Sequence, residues 1–188
     1  MSADQTQPDT PHAVPTAPPT APTAPHSHSD TNAYHGPLEW FARVDAPEHG
    51  QGLRFACTSC GNCCSGPPGY VLVSDAECHA LARRLGLTTQ AFIDQHTHVV
   101  ERGRSLKEVP GPRGFDCIFL DRERVPGKAI CGVYESRPGQ CRTWPFWGHT
   151  LRTPETWAAA GRSCPGINTG AIVPLHQVRV LRDSVPMP

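Results

Sequence analysis

No stretch of this 188-residue chain has an uninterrupted apolar run near the ~18 residues of a membrane-spanning helix, so no membrane role is expected. No Lys or Arg precedes Arg43, and the first 36 residues hold no run of large apolar side chains. Secretory signals need a basic start followed by an apolar stretch, and transit peptides are Arg-rich, so neither is expected. The cytoplasm is therefore the expected compartment. Lysine is nearly missing as well, since 15 of the 17 cations are Arg, and these are dispersed rather than striped. Without a basic face or an aromatic–basic platform, nucleic-acid binding is not expected. There is no internal repeat, no H-E-x-x-H motif, no nameable Ser–His–Asp set and no glycine-rich phosphate loop.

What is present divides the chain in two. Residues 1–36 contain seven prolines within the first 25 positions, spaced by Ala and Thr. Such a segment cannot bury enough surface to offset its ordering entropy, and it is expected to be a disordered tail. Residues 37–188 are expected to form one domain. Net charge is zero over the chain. Three acids (Asp4, Asp9 and Asp30) lie in the tail and no cation does, so the domain carries +3.

Four cysteines fall within eight residues, Cys57-Thr-Ser-Cys60-Gly-Asn-Cys63-Cys64, and five more follow at Cys78, Cys117, Cys131, Cys141 and Cys164. In a reducing compartment clustered thiols bind metal more often than they pair as disulfides. Thiolates suit zinc and iron–sulfur centres, and C-x-x-C lets two sulfurs converge across a tight turn. Gly61 supplies the backbone freedom such a turn uses. Adjacent Cys63 and Cys64 are expected to project differently, serving two metals or bridging a binuclear site. Eight cysteines suit two four-thiolate sites, and Cys78, inside a capped helix, reads as a small core residue. Cys117 and Cys131, taken alone, read as core cysteines beside strand-like residues. Beside an unfinished ligand set they read as ligands. Eight thiolates on two divalent cations would contribute −4 and turn the domain's +3 into −1, so the positive excess reads as an internal counter-charge.

The remaining pattern predicts short elements. Tyr70–Val73 reads as a strand, Ser74-Asp-Ala-Glu77 as a capping box opening a helix that Gly86 stops, and Thr88 as the cap of a second helix to about His98. Val99–Val109 reads as extended, with Pro110-Gly-Pro112 breaking it. Cys117–Leu120 reads as a buried strand, and Ala129–Cys131 as another after a turn at Pro126-Gly127. Arg137-Pro138 and Thr153-Pro154 each open a helix, and Gln177–Leu181 reads as a last strand. The expected fold class is α+β: a small irregular metal-stabilised domain with short strands and several short helices.

Arg137, Arg142 and Arg162 flank Cys141 and Cys164 and read as partners neutralising thiolate charge. Trp144, Phe146 and Trp147 read as a seal around the metal region. The histidines at 26, 28, 96 and 98 are not needed as ligands.

The run Cys57-x-x-Cys60-Gly-x-Cys63-Cys64, then Cys117-Ile-Phe-Leu120, Cys131-x-Val-Tyr134, Arg137-Pro-x-x-Cys141-Arg-x-Trp-Pro-Phe146 and Cys164-Pro-Gly166 resembles the YkgJ-type cysteine-cluster proteins, the zinc- or iron-chelating CxxCxxCC domain. The resemblance spans about residues 53–170. It implies metal ligation by Cys57, Cys60, Cys63, Cys64, Cys117, Cys131, Cys141 and Cys164, with Cys78 outside the pattern. It implies a zinc or iron cofactor, an iron–sulfur cluster among the alternatives. A similar cluster occurs in a flagellin lysine methylase, but this chain has no nucleotide loop for a methyl donor, so methylation is not transferred. The leading expectation is a metal-binding protein whose partners are metal ions. An iron–sulfur oxidoreductase or other metal-dependent enzyme, and a metal-handling chaperone, are the alternatives, and the residues leave enzyme status open.

Overall fold

Capping chemistry starts most of the helices, at the residues where the sequence places it. The structure, a computed structural model, describes residues 39–42 and 52–184. The tail expected to be disordered lies outside the described residues. Ser74 Oγ accepts from the Glu77 N–H at 3.3 Å, and Glu77 Oε2 accepts from the Ser74 N–H at 2.8 Å. This box opens α1 (Asp75–Leu85), and Gly86 ends it at φ 70°. Thr88 caps α2 (Thr89–His96), which stops short of His98 because the chain turns into a strand at Thr97. The single-turn α3 (Gly139–Thr143) follows Pro138, and Thr153 caps α4 (Pro154–Ser163). The last helix is α5 (Leu175–Asp183).

That last helix replaces the strand expected over Gln177–Leu181. Val178 and Val180 imitate a period-two pattern, but Leu175, Val178 and Leu181 recur every third residue and share one face. Val178 is fully buried, whereas Val180 is 64 % exposed. The C-terminal strand lies one segment earlier.

Among the described residues, nine short strands pair antiparallel in four small sheets. β1 (Gly52–Phe55) pairs with β9 (Ile167–Pro174), setting Leu53 opposite Val173. β2 (Ser65–Gly66) lies beside β6 (Gly114–Cys117), which also pairs with β5 (Glu108–Gly111). β3 (Thr97–Val100) and β4 (Gly103–Leu106) form a hairpin, and β7 (Leu120–Asp121) pairs with β8 (Ile130–Cys131). The result is a mixed α+β fold, as expected.

Three strand expectations shift. The extended stretch 99–109 is folded back into two hairpins, and Pro110 sits within β5 rather than breaking it, because β5 is an edge strand. The strand over Cys117–Leu120 is interrupted: β6 ends at Cys117, and Ile118 and Phe119 turn before β7. Tyr70–Val73 makes a single bridge, Leu72 to Ser105. There the Gln140 side chain takes the place of a partner strand, accepting from the Leu72 N–H at 2.9 Å and donating to the Tyr70 carbonyl at 3.1 Å.

Two apolar cores result. One gathers Phe41, Leu53, Phe146, Leu151, Trp157, Ile167 and Val178 with Cys164. The other gathers Val73, Cys78, Leu81, Ala82, Phe92, Leu106 and Val133, with Cys117 and Cys131 packed against it. Cys78 is fully buried there, in keeping with its reading as a core residue.

The helical assignment of the C-terminus separates two valines that a strand would place on one face. Val178→Ala should destabilise the protein measurably, by roughly 1–3 kcal/mol, while Val180→Ala should stay within about 0.5 kcal/mol. Chemical denaturation of both variants decides it, since equal effects would contradict the helix.

Candidate metal centre

The cysteine-rich loop is built around Gly61. Its φ of 73° is a left-handed value that favours glycine, and a Cβ there would come within 2.5 Å of Ala129 Cβ. The Gly61 carbonyl accepts from the Cys64 N–H and the Ser65 hydroxyl, both at 3.0 Å, closing the turn Asn62–Cys64. β2 then lies along β6, with Ser65 opposite Asp116, one residue before Cys117.

The Cys57–Cys60 segment is pinned from two directions. Ala56 N–H donates to the Gly166 carbonyl at 3.1 Å, and Asn62 Nδ2 donates to the Ser163 carbonyl at 2.6 Å, so the 57–62 loop is anchored at both ends on the segment bearing Cys164. From the other side, Ala129 N–H donates to the Ser59 carbonyl at 2.8 Å and Lys128 Nζ to the Thr58 carbonyl at 3.2 Å.

Cys131 is placed by β8, opposite Leu120, with Gly132 N–H bonded to the Phe119 carbonyl at 2.8 Å. Cys141 is placed by α3, whose start is held by Glu77. The Oε1 of this residue accepts from the Gly139 N–H at 2.7 Å. One carboxylate therefore serves both the α1 capping box and the helix that carries Cys141. Asp116, next to Cys117, is locked by Arg122 through two 2.8 Å hydrogen bonds, which hold its carboxyl below the usual range.

Five of the sulfurs form one neighbourhood. Cys63, Cys64, Cys117, Cys131 and Cys141 lie near enough for the charge of one to affect the protonation of others. Cys63 Sγ and Cys64 Sγ are 3.6 Å apart. The adjacent side chains therefore do not diverge as expected, because the turn after Gly61 brings both to one side. Their separation is close to the ~3.8 Å edge of a tetrahedron with ~2.3 Å metal–sulfur bonds. Cys57 lines the same cavity as Cys63, Cys64, Cys131 and Cys141. Cys164 is buried at the end of α4, accepting a hydrogen bond from Trp144 Nε1 at 3.5 Å. Cys60 is half-buried within the anchored loop. Among the described residues, no three Cys, His, Asp or Glu side chains stand at the spacing that would hold an ion. The thiols are gathered but not closed.

Their protonation follows from burial. Desolvation, reinforced by neighbouring sulfurs, pushes Cys117 up to about 11 and Cys141 to about 12, and Cys131 upward as well. Cys63 and Cys64 share a hydrogen bond, so one proton leaves the pair readily while the second is held. The bond from Cys64 lowers Cys63 to about 7, and Cys64 is raised. Arg137 faces this group, and its charge helps to lower Cys63 and tempers the rise of Cys131 and Cys141, while Arg122 feels the charge of Cys64. Arg142 instead donates to the Arg137 carbonyl at 2.6 Å, and Arg162 is exposed.

The donor set fits a soft or borderline metal. Thiolates prefer zinc and iron over hard cations. The hydroxyl of Thr58, between Cys57 and Cys60, is buried without a hydrogen-bond partner among the described residues. A neighbouring thiolate would give it an acceptor.

Trp147 lines the cavity and is fixed there by donating from Nε1 to the Gln140 carbonyl at 3.1 Å and to Thr143 Oγ1 at 3.0 Å. Trp144 meets it edge-on at 4.8 Å. Phe146 points away into the first core. His98 is exposed, and His96 lies between the Phe92 and Phe119 rings, remote in role from the thiols. Sequence reasoning missed Gln140 and the reach of Glu77 to Gly139. The capping box was visible, but its second hydrogen bond spans 62 residues.

Thiol-bearing turns gathered from across the chain define a metal-chelating domain. The family model described as "CxxCxxCC: Putative zinc- or iron-chelating domain" matches residues 56–165, more than half of the chain. The protein belongs to this CxxCxxCC family. No solved structure matches the chain.

Two outcomes test this architecture. Gly61→Ala should cost about 1–3 kcal/mol in denaturant unfolding, from the left-handed φ and the contact with Ala129 together. The pH dependence of the metal-free protein follows from the raised thiols. The unfolded chain loses these protons near pH 9 and the folded chain only near 11–12, so folding is supported fully below pH 9. That support should fall as pH rises towards 11–12, and melting temperatures of metal-free protein above pH 9 should decline accordingly.

Proposed function

We propose that the domain chelates zinc or iron through eight cysteine thiolates in two centres. Cys63, Cys64, Cys117, Cys131 and Cys141 surround one, and Cys57, Cys60 and Cys164 supply the other, completed by a bridging thiolate from the Cys63–Cys64 pair. The observation that carries this reading is the clustering itself. Five thiols from four separate segments act on one another's protonation, and the Cys57–Cys60 loop is tied at both ends to the Cys164 segment. Neutral thiols attract one another only weakly. Closure into ligand geometry needs side-chain rotation driven by the metal, with loss of the thiol protons.

Bound metal in this reading supplies much of the folding free energy of a domain whose sheets are two or three strands wide. Arg137 offsets part of the thiolate charge. All nine cysteines are free, which supports a reducing compartment such as the cytoplasm. No helix among the described residues is long and apolar enough to cross a membrane.

A catalytic or metal-transfer role is favoured by one observation: the thiols line an open cavity of about 370 Å³, so a bound metal would be reachable from solvent. An iron–sulfur oxidoreductase would give a brown sample whose visible absorbance bleaches with dithionite. A metal-handling chaperone would give metal to an acceptor chelator without unfolding.

Elemental analysis of anaerobically purified protein should find about two zinc or several iron per chain, by ligand counting. Cys141→Ser should reduce that content and the melting temperature together. Cys78→Ala should keep the metal and lose at most about 1–2 kcal/mol. A metal-free preparation that unfolds cooperatively at the same temperature as the loaded one would refute the proposal.

A further inference from the structure

The thiol cluster accounts for only one side of the cavity. At about 370 Å³ the space greatly exceeds what a coordinated ion needs and falls within the range of small-molecule sites. Its other side is formed by Val71, Ile130, Tyr134, Trp144 and Trp147, with Arg137 as the cation among its lining residues. The Arg137 guanidinium carbon stands 3.5 Å from the centre of the Tyr134 ring. Its Nε donates to the Tyr134 carbonyl at 2.9 Å, which fixes the plane of the group. Among the described residues no acceptor lies within hydrogen-bond distance of its two terminal nitrogens, although its charge is felt by Cys63, Cys131 and Cys141. Gln140, which also lines the cavity beside the hydroxyl-bearing Ser59 and Tyr134, already uses both ends of its amide on Leu72 and Tyr70.

We infer that this cavity is a binding site for a small monocarboxylate with an aromatic or branched apolar body. The carboxylate pairs with the free edge of Arg137, and the body lies against Trp144 and Trp147, beside the thiol cluster. A planar fork with one edge engaged suits a two-oxygen acceptor. A phosphate dianion would want a second cation or a nest of backbone N–H groups, and thiolates next door would repel the extra charge. Apolar walls with one fixed charged group set orientation, as small-molecule sites commonly do. The inference rests on the cavity and on Arg137, so it stands whichever metal the thiols hold.

The test is a calorimetric titration of the full-length protein as isolated anaerobically, with metal content measured on the same sample. Phenylacetate should bind saturably, and the neutral phenylacetamide at least tenfold more weakly. Inorganic phosphate should not compete. Arg137→Gln, compared with unaltered protein at matched metal content, should weaken phenylacetate binding at least tenfold, and Arg137→Lys should recover part of it. Four results would overturn the inference: no saturation by phenylacetate, equal binding of acid and amide, competition by phosphate, or an Arg137→Gln variant that keeps the acid and loses metal instead. The acid–amide comparison uses unaltered protein, so it decides the matter even if the variant does not fold. Low metal content with intact phenylacetate binding would count against the chelation proposal alone.

Discussion

The fold depends on holding four cysteine-bearing segments against one short loop. Little apolar surface is available for this. Among the described residues, no strand apart from the eight-residue β9 exceeds four residues, and the buried apolar side chains there are divided between two cores. Hydrogen bonds to the backbone carry much of the positioning. Ala56 to Gly166, Asn62 to Ser163 and Ala129 to Ser59 fix the Cys57–Cys64 run from both flanks, and Glu77 fixes the helix bearing Cys141. Each bond is modest by itself. Together they oppose the loop-closure entropy of segments more than a hundred residues apart in sequence, as at Asn62 and Ser163 (101 residues).

The same arrangement explains why the two cores do not merge. Cys164 belongs to the core built on β1, β9, α4 and α5, while Cys117 and Cys131 lie against the core built on α1 and α2. The thiols occupy the boundary between them. A metal bound there would act as a third core, joining two small apolar clusters that each lack the area to dominate folding. Its charge would also favour the thiolate forms of Cys117 and Cys141, which burial disfavours.

On the solvent side, the aromatic pair Trp144 and Trp147 and the Tyr134–Arg137 stack define what can approach the sulfurs. Trp147 is tied by its N–H to α3, and Trp144 to Cys164, so both rings are oriented by the segments that carry thiols. Access and ligand placement are thus coupled through the same few residues. Arg142, adjacent to Cys141 in sequence, has no such role because it turns back to the Arg137 carbonyl.

Local chemistry was readable from the residues alone wherever the cause is local. Ser74 and Glu77, Thr88, Thr153 and Pro154, Gly86 and Gly61 act within four positions of themselves, so caps, helix stops and the cysteine turn could be placed. The cysteines of the Cys57–Cys64 run could be singled out for the same reason, whereas Cys117, Cys131, Cys141 and Cys164 are named as ligands only beside an unfinished ligand set and through the family resemblance. The C-terminal helix could not, since a valine alternation over three residues imitates a strand until burial chooses the face. Nor could the Gln140 clamp, the second hydrogen bond of Glu77, or the convergence of Cys63 and Cys64. These depend on groups brought near by the rest of the chain, and only tertiary packing decides which distant neighbour a side chain meets.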